Sequence, residues 1–346
     1  MRIVHIVWEL GTGGVETMLV DIVNEQIKTE VVAVAVVNEH FEQFLLHKID
    51  SRCTVKLCGR KRGSRNPIPW IKLNTFLFCW KPDIIHFHLE GMRKMVIHPA
   101  PKVFTIHNLH TSGAEFGYYK QLYAISEGVR LITQQQGYNA ILVWNGIRTD
   151  DIKTKEDNFF TPGSLCKIVC VGRLYTPHKG QDVLIGALGL LKQQGVVNYH
   201  LDVIGDGESH EQLERLVSEL GLKNNVSFLG QRDRTYIYEH LKDYDLFVLP
   251  SRSEGFGLSA AEAICAKLPV IVCDLESVKP LIADGRYGVM FHTENIQSLA
   301  DKIIFFLQKG VEISDLEEAR QYIKDNFEIR RTASKYIKEY LKCIRN

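Results

Sequence analysis

Short, continuously apolar runs alternate along this chain with segments whose apolar side chains recur every three or four residues. The run at residues 2–8 is followed by such a segment at 15–27, and the same alternation continues along the chain. The short runs predict strands that are buried on both faces, and the longer segments predict amphipathic helices that cover them. Strands alternating with helices in this way predict an α/β fold built on parallel sheets.

A polar and charged stretch at residues 149–164, which contains Pro162 and Gly163, interrupts the pattern and is typical of a linker. Before it, the predicted strands are 2–8, 31–37, 84–88, 103–106, 122–126 and 141–144, with a helix at 91–97. After it, they are 167–171, 200–204, 226–229, 246–249, 269–273 and 288–291. The sequence therefore predicts two doubly wound parallel-sheet domains, and 346 residues suffice for both cores.

Composition and charge exclude several classes of protein. A hydrophobic fraction of 45% and a charged fraction of 24% indicate a globular protein, and a net charge of +1 argues against nucleic-acid binding through overall charge. No apolar run approaches the roughly 18 residues of a membrane span, and the first run is too short for a signal peptide, so we expect a cytoplasmic protein. The eight cysteines lack the compact grouping of zinc ligands and are expected to be reduced thiols.

Two loops after predicted strands are suited to binding an anion. The turn ELGTGG at residues 9–14 leads from a strand to a helix N-terminus, but Glu16 replaces the third glycine of the dinucleotide fingerprint. The loop GRLYTPHKG at 172–180 follows the first strand of the second half. Its Arg173 and Lys179 are placed to neutralise a diphosphate, although such a basic pair is equally compatible with a surface feature.

The stretch with the richest chemistry is PSRSEGFGLSAAEAICAKLP at residues 250–269, directly after the predicted strand 246–249. It contains two carboxylates, Glu254 and Glu262, with seven residues between them. Glycines beside Glu254 let backbone N–H groups approach a ligand closely, which suits a negatively charged, hydroxyl-rich ligand. The alternative is that Ser259 and Glu262 form only a helix capping box, worth about 0.5 to 2 kcal/mol.

Histidines stand at the ends of two predicted strands, with His86 and His88 in IIHFH and His107 in TIHN. A histidine near a strand end is more often structural than catalytic. Their position alone leaves both roles open.

Taken in order, the segments GGVE, TIHN, NGI, GRL…KG, GDG and LPSRSEGFG, with the second glutamate at 262, resemble one enzyme family. This family is the retaining GT-B-fold glycosyltransferases of the Glu-x7-Glu type (glycosyltransferase family 4, glycosyl transferases group 1). The resemblance covers nearly the whole chain. It implies two Rossmann-like domains facing a central cleft, with an acceptor-side domain at 1–160 and a nucleotide-sugar-binding domain at 161–327. It also implies that a C-terminal helix at 328–346 packs back on the first domain.

The resemblance implies a role for each matching residue. Glu254 would contact hydroxyls of the donor sugar, Glu262 would hold the ribose, and His107 would hold a sugar hydroxyl. Arg173 and Lys179 would bind the diphosphate and stabilise the charge that develops on it, so that no metal ion and no cofactor are expected. The other implied donor-binding positions are Gly13 and Gly14 beneath the diphosphate, Arg232 near the base, and Gly255, Phe256, Gly257 and Leu258 beside sugar and diphosphate.

The chain departs from the family pattern at three positions. Asn108 stands where an aspartate usually follows the histidine, which argues against a charge relay there but leaves a hydrogen-bonding role for His107. The gap before Lys179 is one residue longer than the commonest spacing. Lys267 replaces a glycine, which concerns the end of a helix rather than chemistry.

The implied reaction is transfer of a sugar, with retention, from a nucleoside-diphosphate sugar to a hydroxyl of a glycan or lipid-linked glycan in surface polysaccharide biosynthesis. UDP is preferred to GDP as the donor nucleotide. Two alternatives stay open, namely a sugar-nucleotide epimerase or hydrolase on the same scaffold and a catalytically silent GT-B subunit. The paired glutamates argue against the first, and retention of Glu254, Glu262, Arg173 and Lys179 argues against the second.

A basic stretch, KLCGRKRGSR at residues 56–65, carries five positive charges and no acid, and precedes an aromatic-rich amphipathic segment. The commoner structure for such a sequence is a solvated loop before a core helix. The alternative is contact with an anionic membrane surface or a lipid-diphosphate acceptor, which would place the protein peripherally at the inner face of a membrane.

Overall fold

The computed structural model describes residues 1–11 and 13–345, with the backbone alone at 313 and 314. The chain forms two compact units. The first comprises Met1–Ile147 together with Phe327–Asn346, and the second comprises Arg148–Asn326.

The first unit contains a parallel sheet, which has seven strands among the described residues. They are β1 (Arg2–Val7), β2 (Val31–Asn38), β3 (Thr54–Arg60), β4 (Ile84–Phe87), β5 (Lys102–Ile106), β6 (Gln121–Ala124) and β7 (Ala140–Leu142). Their order across the sheet is β3-β2-β1-β4-β5-β6-β7. The central strands are continuously buried, as their unbroken apolar sequences predict.

The helices that cover this sheet are α1 (Gly14–Gln26), α2 (Gln43–His47), α3 (Ile68–Trp80) and α4 (Glu127–Gln135). Apolar residues at helical spacing on α1 join the core, with Met18 and Ile22 packing in the cluster that holds Ile3. The α3 helix lies against β3 and β2. The opposite side of α3 is open to solvent.

The second unit contains a parallel sheet of six described strands, β8 (Cys166–Val171), β9 (Tyr199–Ile204), β10 (Val226–Gly230), β11 (Leu246–Leu249), β12 (Val270–Cys273) and β13 (Val289–Phe291). Their order is β10-β9-β8-β11-β12-β13. Its helices are α5 (Thr176–Lys179), α6 (Gln181–Gln193), α7 (His210–Glu219), α8 (Arg234–His240), α9 (Leu258–Cys265), α10 (Ile296–Lys309) and α11 (Ile313–Phe327). These two sheets are the α/β architecture that the sequence predicts.

The last helix, α12 (Ile329–Arg345), belongs to the first unit and packs beside α1. Its buried aromatic residues Tyr336 and Tyr340 share a core cluster with Ile3 and Tyr123. Within the described part of the chain, no helix is long and apolar enough to cross a membrane.

The winding direction of each sheet reverses once, between β1 and β4 in the first unit and between β8 and β11 in the second. Ligands of open parallel sheets bind beyond the carboxyl ends of the strands at such a reversal. The glycine turn follows β1, the loop 172–180 follows β8, and residues 250–257 follow β11. The topology therefore places each of the three candidate loops at the carboxyl ends of the strands of its own sheet, where ligands bind.

Two sequence predictions about the first unit are wrong. The first half of the basic stretch at 56–65 is strand β3, which lies at the sheet edge, where charged side chains such as Lys56 are tolerated. The predicted helix at 91–97 is only one 3₁₀ turn, Arg93–Met95. The Asn74 side chain donates to the carbonyl of Met95 and accepts the N–H of Ile97. These bonds hold the segment against α3 in place of the bonds that a longer helix would make.

The boundary between the units lies at 147/148, before the position 160/161 that the sequence indicates. The intervening segment is bonded to the second unit. The N–H groups of Lys153 and Lys155 donate to the carbonyls of Tyr238 and Ala266. The buried Lys155 ammonium also contacts Asp245 at 2.7 Å.

Candidate functional site

Two loops of the second unit lie against each other beyond β8 and β11. The N–H groups of Arg252 and Ser253 both donate to the carbonyl oxygen of His178, at 2.8 and 3.0 Å. Gly180 has a φ of +62°, and a Cβ at this position would lie 2.1 Å from the carbonyl oxygen of Pro250. Glycine is therefore required for this approach, which explains the glycine after Lys179.

The GDG turn after β9 contacts the same loop from the other side. A Cβ on Gly205 would lie 2.0 Å from the carbonyl oxygen of Gly172, and one on Gly207 would lie 2.5 Å from that of Leu174. The N–H of Leu174 donates to the carbonyl of Asp206 at 3.0 Å. Three segments that are far apart in the sequence thus form one continuous surface.

Arg252 holds this surface together, a role that its place in the sequence does not reveal. Its guanidinium binds both carboxylate oxygens of Asp182 at 2.7 and 2.8 Å and also contacts Glu294 at 2.7 Å. It donates to the carbonyl of Thr176 at 2.7 Å as well. The Asp182 hydrogen bonds raise the pKa of Arg252, so this cation stays charged.

Lys179 and Glu254, predicted to act on the diphosphate and the sugar, form an ion pair. The Lys179 Nζ lies 2.7 Å from a carboxylate oxygen of Glu254, and the Ser251 hydroxyl donates to the same oxygen at 3.3 Å. The hydroxyl of Ser277 donates to the Glu254 carbonyl at 2.5 Å and fixes the backbone. Burial disfavours the Lys179 charge, but the Glu254 carboxylate outweighs it and raises the Lys179 pKa.

Arg173, the other predicted diphosphate ligand, pairs with a different carboxylate. Its Nη2 lies 2.7 Å from Oε1 of Glu208, and both side chains are about two-thirds exposed, at 66% and 65%. The Gln181 side chain donates to the Arg173 carbonyl at 2.9 Å and anchors the backbone rather than the guanidinium. An exposed pair of this kind is weak, and the Arg173 side chain can exchange its partner.

The capping-box alternative for Glu262 is wrong. The α9 helix begins at Leu258 with Gly257 as its N-cap, so Ser259 lies inside the helix and cannot cap it. Glu262 is buried, and its Oε1 lies 3.3 Å from Nε of Arg234. Its carboxylate is therefore held by a tertiary contact and not by the start of its own helix.

Arg232, predicted to lie near the base, stacks on the partly buried Tyr236 ring, with 5.2 Å between its guanidinium carbon and the ring centroid. The arginine that reaches Glu262 is instead Arg234, whose guanidinium also covers the Tyr238 ring at 4.9 Å. Sequence reasoning missed Arg234, the first residue of α8, because its contact with Glu262 joins two elements that only the fold brings together.

In the first unit, Gly13 is the N-cap of α1 and Gly14 is its first residue. The Glu16 carboxylate lies against Gly13, since an added Cβ there would meet Glu16 Oε2. Burial raises the pKa of Glu16. The helix start thus already has a carboxylate beside it, and Thr12 of the same turn lies outside the described residues.

His107 follows β5 and is buried, with its Nε2 3.1 Å from Nδ1 of His88. Burial lowers the pKa of His107 to about 3, so the ring is neutral. The neighbouring Asn108 accepts the N–H of His110 at 2.9 Å and the Thr111 hydroxyl at 3.2 Å. Asn108 therefore shapes its own loop and does not touch the imidazole through these bonds.

These loops match known protein families along both halves of the chain. The family described as "Glycosyl transferases group 1" matches residues 151–328, which hold the arginine, lysine and glutamates described above. The family described as "Glycosyltransferase Family 4" matches residues 12–150. The chain belongs to the glycosyl transferases group 1 family.

Among similar curated proteins is an uncharacterised glycosyltransferase of Methanocaldococcus jannaschii, 28% identical over 190 residues, which are 54% of this chain and 47% of the relative. Another is the phosphatidyl-myo-inositol mannosyltransferase of Mycobacterium leprae, 28% identical over 51% of this chain and 46% of the relative. The poly(ribitol-phosphate) α-N-acetylglucosaminyltransferase of Staphylococcus aureus is 27% identical over 60% and 45%. The matches thus span about half the length of these relatives.

Solved glycosyltransferases share the fold over essentially the whole chain. A glycosyltransferase from Rickettsia africae superposes with a TM-score of 0.80 at 18% identity, covering 100% of this chain and 99% of the other. Anabaena HepE, solved with UDP and glucose, gives a TM-score of 0.79 at 21% identity and 99% coverage of both chains. The fold is therefore GT-B, with two Rossmann-like domains, as the sequence predicts.

Proposed function

We propose that this protein is a retaining glycosyltransferase that moves a sugar from a nucleoside-diphosphate sugar to a hydroxyl of a glycan or lipid-linked glycan acceptor. UDP is the preferred donor nucleotide. The observation that carries the proposal is the surface beyond β8 and β11, where two cations, Arg173 and Lys179, share neighbouring loops with Glu254 and the start of α9. Family membership and the printed functions of the mannosyl- and N-acetylglucosaminyltransferase relatives support the acceptor class.

Arg173 and Lys179 would stabilise the leaving diphosphate. Charge builds on the phosphate oxygens as the bond to the anomeric carbon breaks, and charge-assisted hydrogen bonds to fixed donors lower that barrier. The N–H groups at the start of α9 carry the positive end of its helix dipole. Because two cations and a helix start supply this stabilisation, we propose that the reaction needs neither a divalent metal nor a cofactor.

The two glutamates would position the donor at its ends. Glu254 would accept hydrogen bonds from sugar hydroxyls once Lys179 turns from it to the phosphate. Glu262 would accept those of the ribose, with its ring-stacked partner Arg234 holding the carboxylate in place. The acceptor would attack from the face that the diphosphate leaves, and the departing phosphate oxygen would take the acceptor proton.

We further propose that α3 contacts an anionic membrane that carries the acceptor. Ile71 and Phe78 are 60% and 48% exposed on its outer side, and Ile97, 70% exposed, is bonded through its N–H to Asn74 of the same helix. The chain from 51 to 82 has no acidic residue, and its exposed cations include Lys72. An apolar stripe flanked by basic residues fits the boundary between lipid headgroups and acyl chains.

Vesicle sedimentation tests this contact. We expect binding to phosphatidylglycerol vesicles but not to phosphatidylcholine vesicles, and loss of binding in Phe78→Asp. Phe305→Asp is the matched control, because Phe305 is 57% exposed on the second unit. Equal binding of the two variants, or no binding by the wild type, would contradict the proposal.

Thermal unfolding with UDP, GDP, ADP and NAD, each with and without EDTA, tests the donor class. A ligand at about 100 times its dissociation constant adds roughly 2.7 kcal/mol to the stability of the protein that binds it. We expect UDP to raise the midpoint most, and to do so equally in EDTA. Stabilisation by NAD alone, or stabilisation by UDP that disappears in EDTA, would overturn the donor class or the metal independence.

A further inference from the structure

The carboxyl ends of β1, β4 and β5 bring four buried histidines together. His5 lies on β1 in register with His86 on β4, and His88 and His107 follow β4 and β5 directly. Each is at most 8% exposed. Only His107 has a place in the proposed reaction, and the other three need an explanation.

Three of these rings form an unbroken row of hydrogen bonds that begins on α1. The side-chain oxygen of Gln26 lies 2.8 Å from Nε2 of His5, and Nδ1 of His5 lies 2.9 Å from Nε2 of His88. Nδ1 of His88 lies 3.1 Å from Nε2 of His107. The remaining ring nitrogen, Nδ1 of His107, is buried and has no hydrogen-bond partner among the residues that the structure describes.

A metal ion is the other explanation for such a cluster, because ring nitrogens of His5, His86 and His88 lie within 4.8 Å of one another. The bonding of His86 argues against it. Its Nδ1 is 2.5 Å from the Tyr340 hydroxyl and its Nε2 is 2.7 Å from the Thr105 hydroxyl. His86 would have to break one of these bonds to offer a lone pair to a metal.

The row has a direction, which Gln26 sets. A neutral imidazole has one N–H and one acceptor nitrogen. The Gln26 oxygen can only accept, so His5 donates from Nε2 and accepts at Nδ1. His88 then donates from its Nε2, and its Nδ1 accepts the Nε2–H of His107.

We propose that Gln26, His5 and His88 are positioning residues that hold His107 as its Nε2–H tautomer, so that its Nδ1 accepts a hydrogen bond from a substrate hydroxyl. Burial lowers the pKa of His5 to about 4 and that of His88 well below 6.5, which keeps the rings neutral. A buried acceptor without a partner is unfavourable, and a donated hydroxyl would satisfy it. A carbonyl or ether oxygen at the same place would not. The substrate half of this inference rests on the proposed function, and the tautomer half does not.

The tautomer is measured directly by two-bond ¹H–¹⁵N correlation spectra of protein labelled with ¹⁵N-histidine. The His107 signals are assigned by their absence in His107→Asn. We expect an unprotonated Nδ1 and a protonated Nε2, unchanged from pH 8 to pH 5.5. A protonated Nδ1 at pH 7, in either the other tautomer or the imidazolium, would overturn the inference whatever the activity.

The Gln26→Met variant separates positioning from packing, because methionine fills a similar volume and offers no acceptor of comparable strength. We expect its His107 signals to show a mixture of tautomers and its kcat/KM for transfer to fall about 2- to 10-fold. Gln134→Met on the exposed side of α4 is the control and should change neither readout. Wild-type spectra and rates in Gln26→Met would contradict the inference. The expected spectra without any sugar transfer would contradict only the proposed function.

Discussion

Both cations proposed to bind the diphosphate are paired with carboxylates in this structure. Arg173 pairs with the exposed Glu208, and Lys179 pairs with Glu254, which is 13% exposed. A diphosphate must therefore displace a carboxylate at each position, and it offers more negative charge than either. Water screens the exposed pair of Arg173 more than the partly buried pair of Lys179, so Arg173 should exchange partners more readily.

Replacing Glu208 with glutamine should strengthen nucleotide binding. The change removes the charge that competes for Arg173, and exposed pairs of this kind correspond to a difference of about 1.5- to 5-fold in affinity. Calorimetric titration with UDP measures the dissociation constant. Glu211→Gln is the control, because Glu211 lies near Arg215 in a comparably exposed pair on α7. Weaker binding in Glu208→Gln would show that Glu208 is a ligand contact rather than a competitor.

Glu262→Gln should weaken binding through the ribose. A hydrogen bond to a carboxylate is worth about 1.5 to 3 kcal/mol, which corresponds to roughly 10- to 100-fold in affinity. Removing the ribose hydroxyls, as in 2′,3′-dideoxy-UDP, should weaken binding to the wild type by a similar factor. It should weaken binding to Glu262→Gln much less, because both changes remove the same contact. Fully additive losses from the variant and the dideoxy nucleotide would contradict the ribose role.

At the scale of elements, the strands and most long helices follow from the sequence because unbroken apolar runs have few alternatives to a buried parallel strand. The prediction fails at β3, because Lys56 and Arg60 interrupt the apolar pattern that would indicate a strand. It also fails at residues 91–97, where side-chain bonds from Asn74 override local preference. The glycine motifs predict that two backbone segments approach each other closely. Which segments do so is known only from the fold.

The histidines at the ends of the strands should make the stability of the first unit depend on pH. Burial lowers the pKa of His5, His86, His88 and His107 in the folded state. The unfolded chain therefore binds protons that the folded chain does not, and stability is lost as pH falls below about 6.5. Between pH 7 and pH 5.5 each histidine accounts for about 1 kcal/mol of this loss, so the four rings together account for about a few kcal/mol.

Urea unfolding followed by tryptophan fluorescence measures this effect selectively, because all four tryptophans (Trp8, Trp70, Trp80 and Trp144) lie in the first unit. The exposed His292 provides the control, since His292→Gln should leave the pH dependence unchanged. A free energy of unfolding that is equal at pH 7 and pH 5.5 would show that these rings are not buried as neutral groups.

For the whole molecule, the proposed nucleotide contacts divide unevenly between the two units. Arg173, Lys179, Glu254 and Glu262 all belong to the second unit, in the segments that follow the adjacent strands β8 and β11. Their ion pairs could not be predicted from sequence, because Lys179 and Glu254 are separated by 75 positions in the sequence and only the fold brings them together. What the sequence does show is the order of the motifs, and that order suffices to indicate the family.

Recognition of the second phosphate is the central claim, and the ratio of the UMP and UDP dissociation constants in EDTA tests it most directly. We expect the wild type to bind UDP more tightly than UMP, with the ratio falling toward one in Arg173→Ala/Lys179→Met. Arg215→Ala/Lys223→Met, which changes exposed cations of the same unit, should keep the wild-type ratio. A folded Arg173→Ala/Lys179→Met protein that still prefers UDP as strongly as the wild type would contradict the account.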